Sequence, residues 1–367
     1  MTSILPITKR IKVIITGAGG SASIGFCRSL SDSKTDYEII GLDSDKYHLS
    51  LAEGYINYLV PPAKDPDYIP IINYIADKHH AHFLHIQPDP EIEVISENRE
   101  KLRVKTNLPR KEVVRECLNK YSTYKLWKKA GIAVPETMLI ESADGLKEAF
   151  ISFGPKIWLR NIRGAAGKGA LLTNDFQEAV SWIDFCKGWG VFTAAKYLTN
   201  RTITWQSIWH KGDLAVAQTR LRKYWEFSNR SPSGVTGLTG TGVTISDEKV
   251  NEIALRCIYA VDEKPNGIFS MDMTYDEEGT PNPTEINIGR FFTTHYFFTK
   301  AGLNMPDIYV KLSLGLKVDP PVQKINPLKD NLAWVRGLDS LPVLTTVAEI
   351  EDREKQLRML RSHMTGG

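Results

Sequence analysis

The sequence predicts an α/β fold that opens with a doubly wound parallel-sheet domain and continues into α+β units. Three observations carry this reading. Strand and helix patterns alternate through roughly the first 110 residues, as parallel sheets require. A glycine-rich turn, Gly17-Ala18-Gly19-Gly20, directly follows the first strand pattern. From Thr202 to Ile288 strand patterns dominate, broken by one helical stretch over 247–259.

In chain order, the β-rich apolar run 11–16 is the first strand, and the glycine turn leads into a helix through Leu30. A second strand over 37–42 ends at Asp43, a helix covers 67–78, and a third strand over 81–86 enters Gln87-Pro88-Asp89-Pro90-Glu91. Another helix is expected over 92–102. In such a sheet the loops collect at the strand C-terminal ends. A helical stretch over 110–130 is stopped by Gly131 and Pro135. A compact α/β piece follows, with strands over 156–160, 170–173 and 191–197 and a helix over 175–187. A helix–loop segment runs to about residue 317, and the remainder holds a strand-like piece (332–337) and a charged helical stretch (348–360). The ending Met364-Thr365-Gly366-Gly367 resembles a flexible tail.

Composition excludes several classes. A chain of 367 residues with 42% hydrophobic and 24% charged residues can bury a substantial core in two or three units. The net charge of +3 is small, and no block of like charge calls for nucleic acid or an anionic membrane. Apolar runs fall short of a membrane span, and the start lacks a signal peptide's apolar segment. Cys27, Cys117, Cys186 and Cys257 are widely separated, which reads as free thiols in a reducing cytoplasm. His79, His80, His82 and His85 straddle a helix end and a strand with no Cys or carboxylate spacing to complete a metal site. The aromatic cluster Phe291, Phe292, Tyr296, Phe297 and Phe298 reads as packing core.

The most informative segment is 267–290. Asp272 lies in an apolar strand pattern, and Glu285 and Asn287 follow a turn rich in Asp, Gly and Pro. Two residues apart, Glu285 and Asn287 share a strand face, and a hairpin would bring Asp272 beside them. Two carboxylates and an amide carbonyl form a hard-oxygen set suited to Mg²⁺ between protein and phosphates. A second glycine-rich loop, 160–170, carries Arg160, Arg163 and Lys168 with Gly164, Gly167 and Gly169; its backbone N–H groups and cations suit an anion that must be covered. Gly17–Ala22 also fits G-x-G-x-x-A, with Asp43 placed to meet a ribose, so a dinucleotide site stays open.

Taken together and in this order, these pieces resemble the ATP-grasp superfamily, nearest its carbamoyl-phosphate-synthetase-like members, over roughly residues 10–320. The resemblance implies an N-terminal pre-ATP-grasp domain (1–110), linker helices with a lid subdomain (111–198), a C-terminal subdomain with the Mg²⁺ site (199–318), and a tail (319–367). It implies ATP with one or two Mg²⁺ ions held by Asp272, Glu285 and Asn287. Lys120 inherits contact with the nucleotide phosphates, and Arg160, Arg163, Gly164, Gly167 and Lys168 the covering of them. Lys196, Tyr197 and Leu198 fall on the strand whose backbone meets adenine. Arg160 and Arg290 are the implied catalytic cations, although the run reads Glu285-Ile286-Asn287-Ile288-Gly289-Arg290, with Ile288 in place of the expected Pro and Arg290 one residue later. Residues 185–212 contain no Asp or Glu for the ribose hydroxyls; Lys196 stands where an acid often sits, and Gln206 is an alternative acceptor.

The implied activity is that of a carboxylate–amine or related ligase proceeding through an acyl phosphate. Arg220 and Arg222, on an alternating strand pattern, are candidates to grip the carboxylate. Gly19, Ser21, Asp89 and Glu91 sit where relatives admit the second substrate. The expected partners are a small-molecule carboxylate and a nucleophilic co-substrate, with a homodimer expected from relatives. Two alternatives remain: a non-catalytic nucleotide-binding member, and a nicotinamide-dependent oxidoreductase using the Gly17 loop.

Overall fold

A computed structural model of the chain describes residues 10–365, apart from Ala166 and Pro320; Gly366 and Gly367 of the expected tail lie outside the described residues. The N-terminal unit comprises β1 (Ile11–Thr16), α1 (Ser21–Ser31), β2 (Tyr37–Asp43), β3 (Ile56–Leu59), α2 (Tyr68–His79), β4 (Phe83–His85) and α3 (Asp89–Glu97). Its parallel sheet has the order β3-β2-β1-β4. Val13, Ile14 and Ile15 of the inner strand β1 are fully buried, as expected where both sheet faces are covered. The loops after β1 and β4 therefore emerge together at one sheet edge.

Two short helices follow, α4 (Lys111–Cys117) and α5 (Lys120–Lys129). The single stretch expected over 110–130 is thus split, because the Asn119 side chain caps α5. Its Oδ1 accepts the N–H groups of Tyr121 and Ser122, each at 3.1 Å.

A small unit contains β5 (Thr137–Ile140), α6 (Ala143–Phe153), β6 (Ile157–Asn161), β7 (Leu171–Thr173), α7 (Phe176–Phe185) and β8 (Phe192–Lys196), with antiparallel sheet order β5-β8-β6-β7. Ile140, Leu146, Ile157, Leu159, Ile183 and Phe192 close its separate core.

The largest sheet is six-stranded and antiparallel, in the order β13-β12-β9-β10-β11-β14. It is built from β9 (Thr202–His210), β10 (Asp213–Trp225), β11 (Thr239–Thr244), β12 (Gly267–Tyr275), β13 (Pro281–Ile288) and β14 (Ala333–Val335), with helices α8 (Glu248–Val261), α9 (His295–Lys300), α10 (Met305–Leu314) and α11 (Val347–Thr365). Strand alternation gives its two faces different characters. Ile203, Trp205, Met271 and Met273 pack in one core with Val250, Ala254 and Ile258 of α8. On the other face, Ile208, Val216 and Ile268 join Ile308 and Tyr309 of α10, while Thr204, Gln206, Arg220 and Arg222 continue the same face as a polar stretch.

The segment expected as a tail is divided between two units. β14 pairs with β11, and α11 returns to β3 and α2 of the N-terminal unit. There Lys46 Nζ meets Glu351 and Glu354 at 2.7 and 2.8 Å, Arg353 donates to the Lys46 carbonyl, Leu360 is buried, and His363 stacks on Tyr74.

The clustered histidines go to separate partners. His79 Nε2 meets the Tyr58 hydroxyl at 2.8 Å, His82 Nδ1 accepts the Lys12 N–H, and His85 stacks on Phe26. Phe291, Phe297 and Phe298 are buried with Phe26 and Tyr309. All four cysteines are free thiols. Among the described residues no helix is long and apolar enough to cross a membrane.

Candidate functional site

The β12–β13 hairpin sets Asp272 directly opposite Glu285 and Ser270 opposite Asn287, so the three oxygen-bearing side chains share the polar face. Asn287 Nδ2 donates to Asp272 Oδ2 at 2.9 Å. The register then jumps from Asp272–Glu285 to Met273–Pro283, leaving Thr284 as a bulge residue. Pro281 and Pro283 are tolerated because β13 is an edge strand. The bulge leaves the Thr284 carbonyl to accept Arg160 Nη2 at 2.8 Å, which ties the small sheet to the large one beside the carboxylates.

Cations converge on this trio from four elements. Lys120, at the start of α5, places Nζ 3.3 Å from Glu285 Oε2 and donates to the Gly164 carbonyl at 2.5 Å. Arg290 returns to the face because Gly289 turns the chain at φ +73°, a left-handed conformation that glycine adopts without strain. A Cβ there would also stand only 2.7 Å from Leu108 Cδ2. The one-residue delay noted in the sequence is thereby absorbed: Arg290 donates to Asn287 Oδ1, and its Nε to Asp89 Oδ1 at 2.5 Å. Arg222 donates to Asp272 Oδ1 at 3.3 Å, to Thr202 and to Thr239. Arg220, 1% exposed, donates to the Thr239 hydroxyl at 3.2 Å. The two arginines therefore do not act as one fork. Lys120, Arg160, Arg220, Arg222 and Arg290 face Asp89, Asp272 and Glu285, an excess of two positive charges that suits a polyanion.

The two central carboxyls are driven apart. Burial pushes Asp272 above the ordinary aspartate range, with Arg222 only partly opposing and Glu285 adding to the rise. Burial also acts on Glu285, but Lys120, Arg160 and Arg290 together hold it below the usual glutamate range. A hard divalent cation would relieve the strain on an ionised Asp272. The donor set (two carboxylates and an amide oxygen on adjacent strands) fits Mg²⁺ chemistry.

The glycine-rich loop between β6 and β7 lies against this face. Gly164, Gly167 and Gly169 have φ of +99°, +69° and +75°. Side chains there would be strained, and a Cβ on Gly167 would overlap the Val235 carbonyl. Arg163 pairs with Glu93 of α3 at 2.8 Å, and Lys168 is exposed. At the end of β8, Lys196 is exposed while its N–H bonds the Glu136 carbonyl at 2.8 Å. Tyr197 lies under the Lys156 ammonium at 4.4 Å, and Leu198 is half-buried. Gln206 is fully buried, with Oε1 accepting the Phe292 N–H at 3.4 Å, so it does not stand in for the absent acid near a ribose.

In the N-terminal unit the Gly17 turn is closed by its own chain. Gly19 N–H donates to Asp43 Oδ2 at 2.9 Å, Asp43 Oδ1 accepts the Asp45 N–H, and a Cβ on Gly19 would overlap the His48 carbonyl. Gly19 and Asp43 are thus bonded to each other rather than presented together to a dinucleotide, which weighs against the nicotinamide alternative. Ser21 is half-buried at the head of α1, and Asp89 is held by Arg290. Glu93 was not singled out in the sequence. Its signal is the four-residue spacing from Asp89, which puts both acids on one face of α3.

Several solved structures share this architecture. An N5-carboxyaminoimidazole synthetase from Staphylococcus aureus matches with a TM-score of 0.63 and 13% identity, covering 85% of this chain and 79% of that chain. The biotin carboxylase domain of 2-oxoglutarate carboxylase from Hydrogenobacter thermophilus gives 0.67 and 15%, covering 89% and 74%. A phosphoribosylamine–glycine ligase from Thermotoga maritima gives 0.64 and 16%, covering 88% and 78%. The chain has the ATP-grasp fold. No protein-family model and no curated protein matches the sequence, so the likeness is one of architecture. Within this fold, Lys120–Glu285 and Arg160–Thr284 tie α5 and the small sheet to the six-stranded sheet.

Proposed function

We propose that the chain is an ATP-dependent ligase that activates a substrate carboxylate as an acyl phosphate and passes the acyl group to an amine or similar nucleophile, releasing ADP and phosphate. The observation that carries this reading is the Asp272–Glu285–Asn287 trio ringed by Lys120, Arg160 and Arg290. Neighbours of the same fold have been solved with ATP, with ADP, and with MgADP and bicarbonate.

Asp272, Glu285 and Asn287 would hold one or two Mg²⁺ ions, which neutralise phosphate charge when bound. Lys120 binds the nucleotide phosphates, and it already bridges the Glu285 carboxylate and the Gly164 carbonyl. Arg160 and Arg290 face charge developing on the transferred phosphoryl group; catalysis here is mostly positioning and neutralisation. Arg163, Gly164, Gly167 and Lys168 cover the phosphates and exclude water. The backbone of Lys196, Tyr197 and Leu198 receives the adenine edge. Ser21 and Asp89 line the approach of the nucleophile. The partners are small molecules rather than nucleic acid or membrane, a homodimer is the expected assembly, and four free thiols fit a cytoplasmic setting.

A screen of carboxylate–amine pairs for phosphate release, with mass spectrometry of the product, tests the reaction. Glu285→Ala should lower ADP formation by at least ~100-fold with the fold intact; unchanged turnover would remove Glu285 from the mechanism. A second reading, a nucleotide-binding protein without turnover, is favoured by the lack of any acid over 185–212. It predicts Mg²⁺-dependent ATP binding with no ADP formed on any carboxylate.

A further inference from the structure

Arg220 is a buried cation without an anion of its own. Its guanidinium donates to the Thr239 hydroxyl and lies 5.6 Å from the Phe292 ring centre, and its Nε–H has no partner among the described residues. The neighbouring arginines are committed elsewhere: Arg222 to Asp272, and Arg336, from the segment after β14, to Asp339 and the Thr293 hydroxyl. Burial, and the like charges of Arg222 and Arg336, act against Arg220, with Asp272 the one carboxylate opposing them. An unpaired buried guanidinium is strongly unfavourable unless something else supplies the charge.

A second donor stands on the same face. Gln206 is fully buried; its Oε1 is taken by the Phe292 N–H, and its Nε2 has no partner among the described residues. Gln206 pairs with Ser270 and Gln218 while Arg220 pairs with Thr204, so the two are diagonal neighbours on β9 and β10, both reached by Phe292.

Their hydrogen bonds set them apart from the oxygen trio. Arg222 reaches Asp272 Oδ1 at 3.3 Å from the same strand, whereas Arg220 makes no hydrogen bond to a carboxylate among the described residues. The Arg220 side chain leans the other way, over β11, where a Cβ on Gly242 would stand 2.5 Å from its Cδ. The trio hydrogen-bonds Arg222 and leaves the Arg220 Nε–H without a partner among the described residues.

We infer that the acid substrate is a dicarboxylate whose non-reacting carboxylate is held by Arg220 and Gln206 beneath Phe292. This rests on the ligase reading for the reacting end, but the second site is measurable by itself. Arg222 is then a positioning residue that orients Asp272, and Arg220 sets specificity.

The test is calorimetric titration of the full chain with succinate, glutarate and adipate against acetate and butyrate, in the presence and absence of MgADP. At least one dicarboxylate should bind ~10-fold or more tightly than either monocarboxylate, and Arg220→Met should erase that preference. Gln206→Leu, a nearly volume-conserving change, should weaken the same dicarboxylate several-fold and serves if Arg220→Met fails to fold. Removal of an unpaired buried charge should also leave the melting temperature of Arg220→Met equal or raised. Equal binding of both acid classes, no binding of any dicarboxylate, or a preference that survives in a folded Arg220→Met would each overturn the inference. Failure of MgADP to bind would instead refute the nucleotide reading, and acid selectivity would still be read on the nucleotide-free chain.

Discussion

Glu91 sits in the first turn of α3, two residues from the Asp89 that grips Arg290. Burial raises its carboxyl to about 7, against the pull of the Thr16 and Tyr68 hydroxyls and with the nearby Asp43 charge adding to the rise. A carboxyl raised on folding binds its proton more tightly in the native state. Its stabilisation is therefore complete below the unfolded value of 4.5 and is lost as pH climbs through about 7. That span corresponds to on the order of 3 kcal/mol. Denaturant unfolding of wild type and Glu91→Gln between pH 4 and 8.5 should show wild type losing that much relative to the variant. A constant difference across the range would mean that Glu91 ionises normally. At this scale the sequence exposed the oxygen trio, since strand parity fixes which side chains share a face. Arg222 turning to Asp272, and Asp43 closing the Gly17 turn, could not be read, because both depend on contacts between elements distant in sequence.

Helix α3 links two parts of the cleft. Asp89 holds Arg290 beside the oxygen trio, and Glu93 holds Arg163 in the glycine-rich loop. The Glu93–Arg163 pair is partly exposed, so it is worth little as stability but enough to bias the position of the loop. Limited trypsin digestion should cut after Arg163 and Lys168. Glu93→Gln should speed the first cut about two- to fivefold, the range expected for an exposed pair, and MgADP should protect both sites. Cleavage indifferent to both MgADP and the variant would show that the loop neither docks on α3 nor covers nucleotide. The element map was partly legible. The β12–β13 hairpin and the β1-turn-α1 unit follow from pattern, whereas the helical periodicity over 110–130 runs on across the break where Asn119-Lys120 opens α5. β3 and β5, four residues each, are too short to show a period.

Over the whole molecule, residues from α3, α5, the small sheet and the six-stranded sheet converge on one cationic face, while the C-terminal helix returns to the far edge of the N-terminal sheet. α11 reads in the sequence as a charged helix, with no hint of its destination. Its ion pairs with Lys46 and Asp65 join residues some 300 positions apart. The chain thus closes on itself, with β14 on the large sheet and α11 on the N-terminal unit. On the proposed ligase reading, a divalent cation on Asp272, Glu285 and Asn287 anchors a nucleoside triphosphate under the 160–170 loop. Calorimetric titration with ATP, with and without Mg²⁺, on wild type and Glu285→Gln tests it most directly. Wild type should bind ATP at least ~10-fold more tightly with Mg²⁺, and the variant should lose most of this dependence. ATP binding that ignores Mg²⁺, or a variant that keeps the full effect, would contradict it.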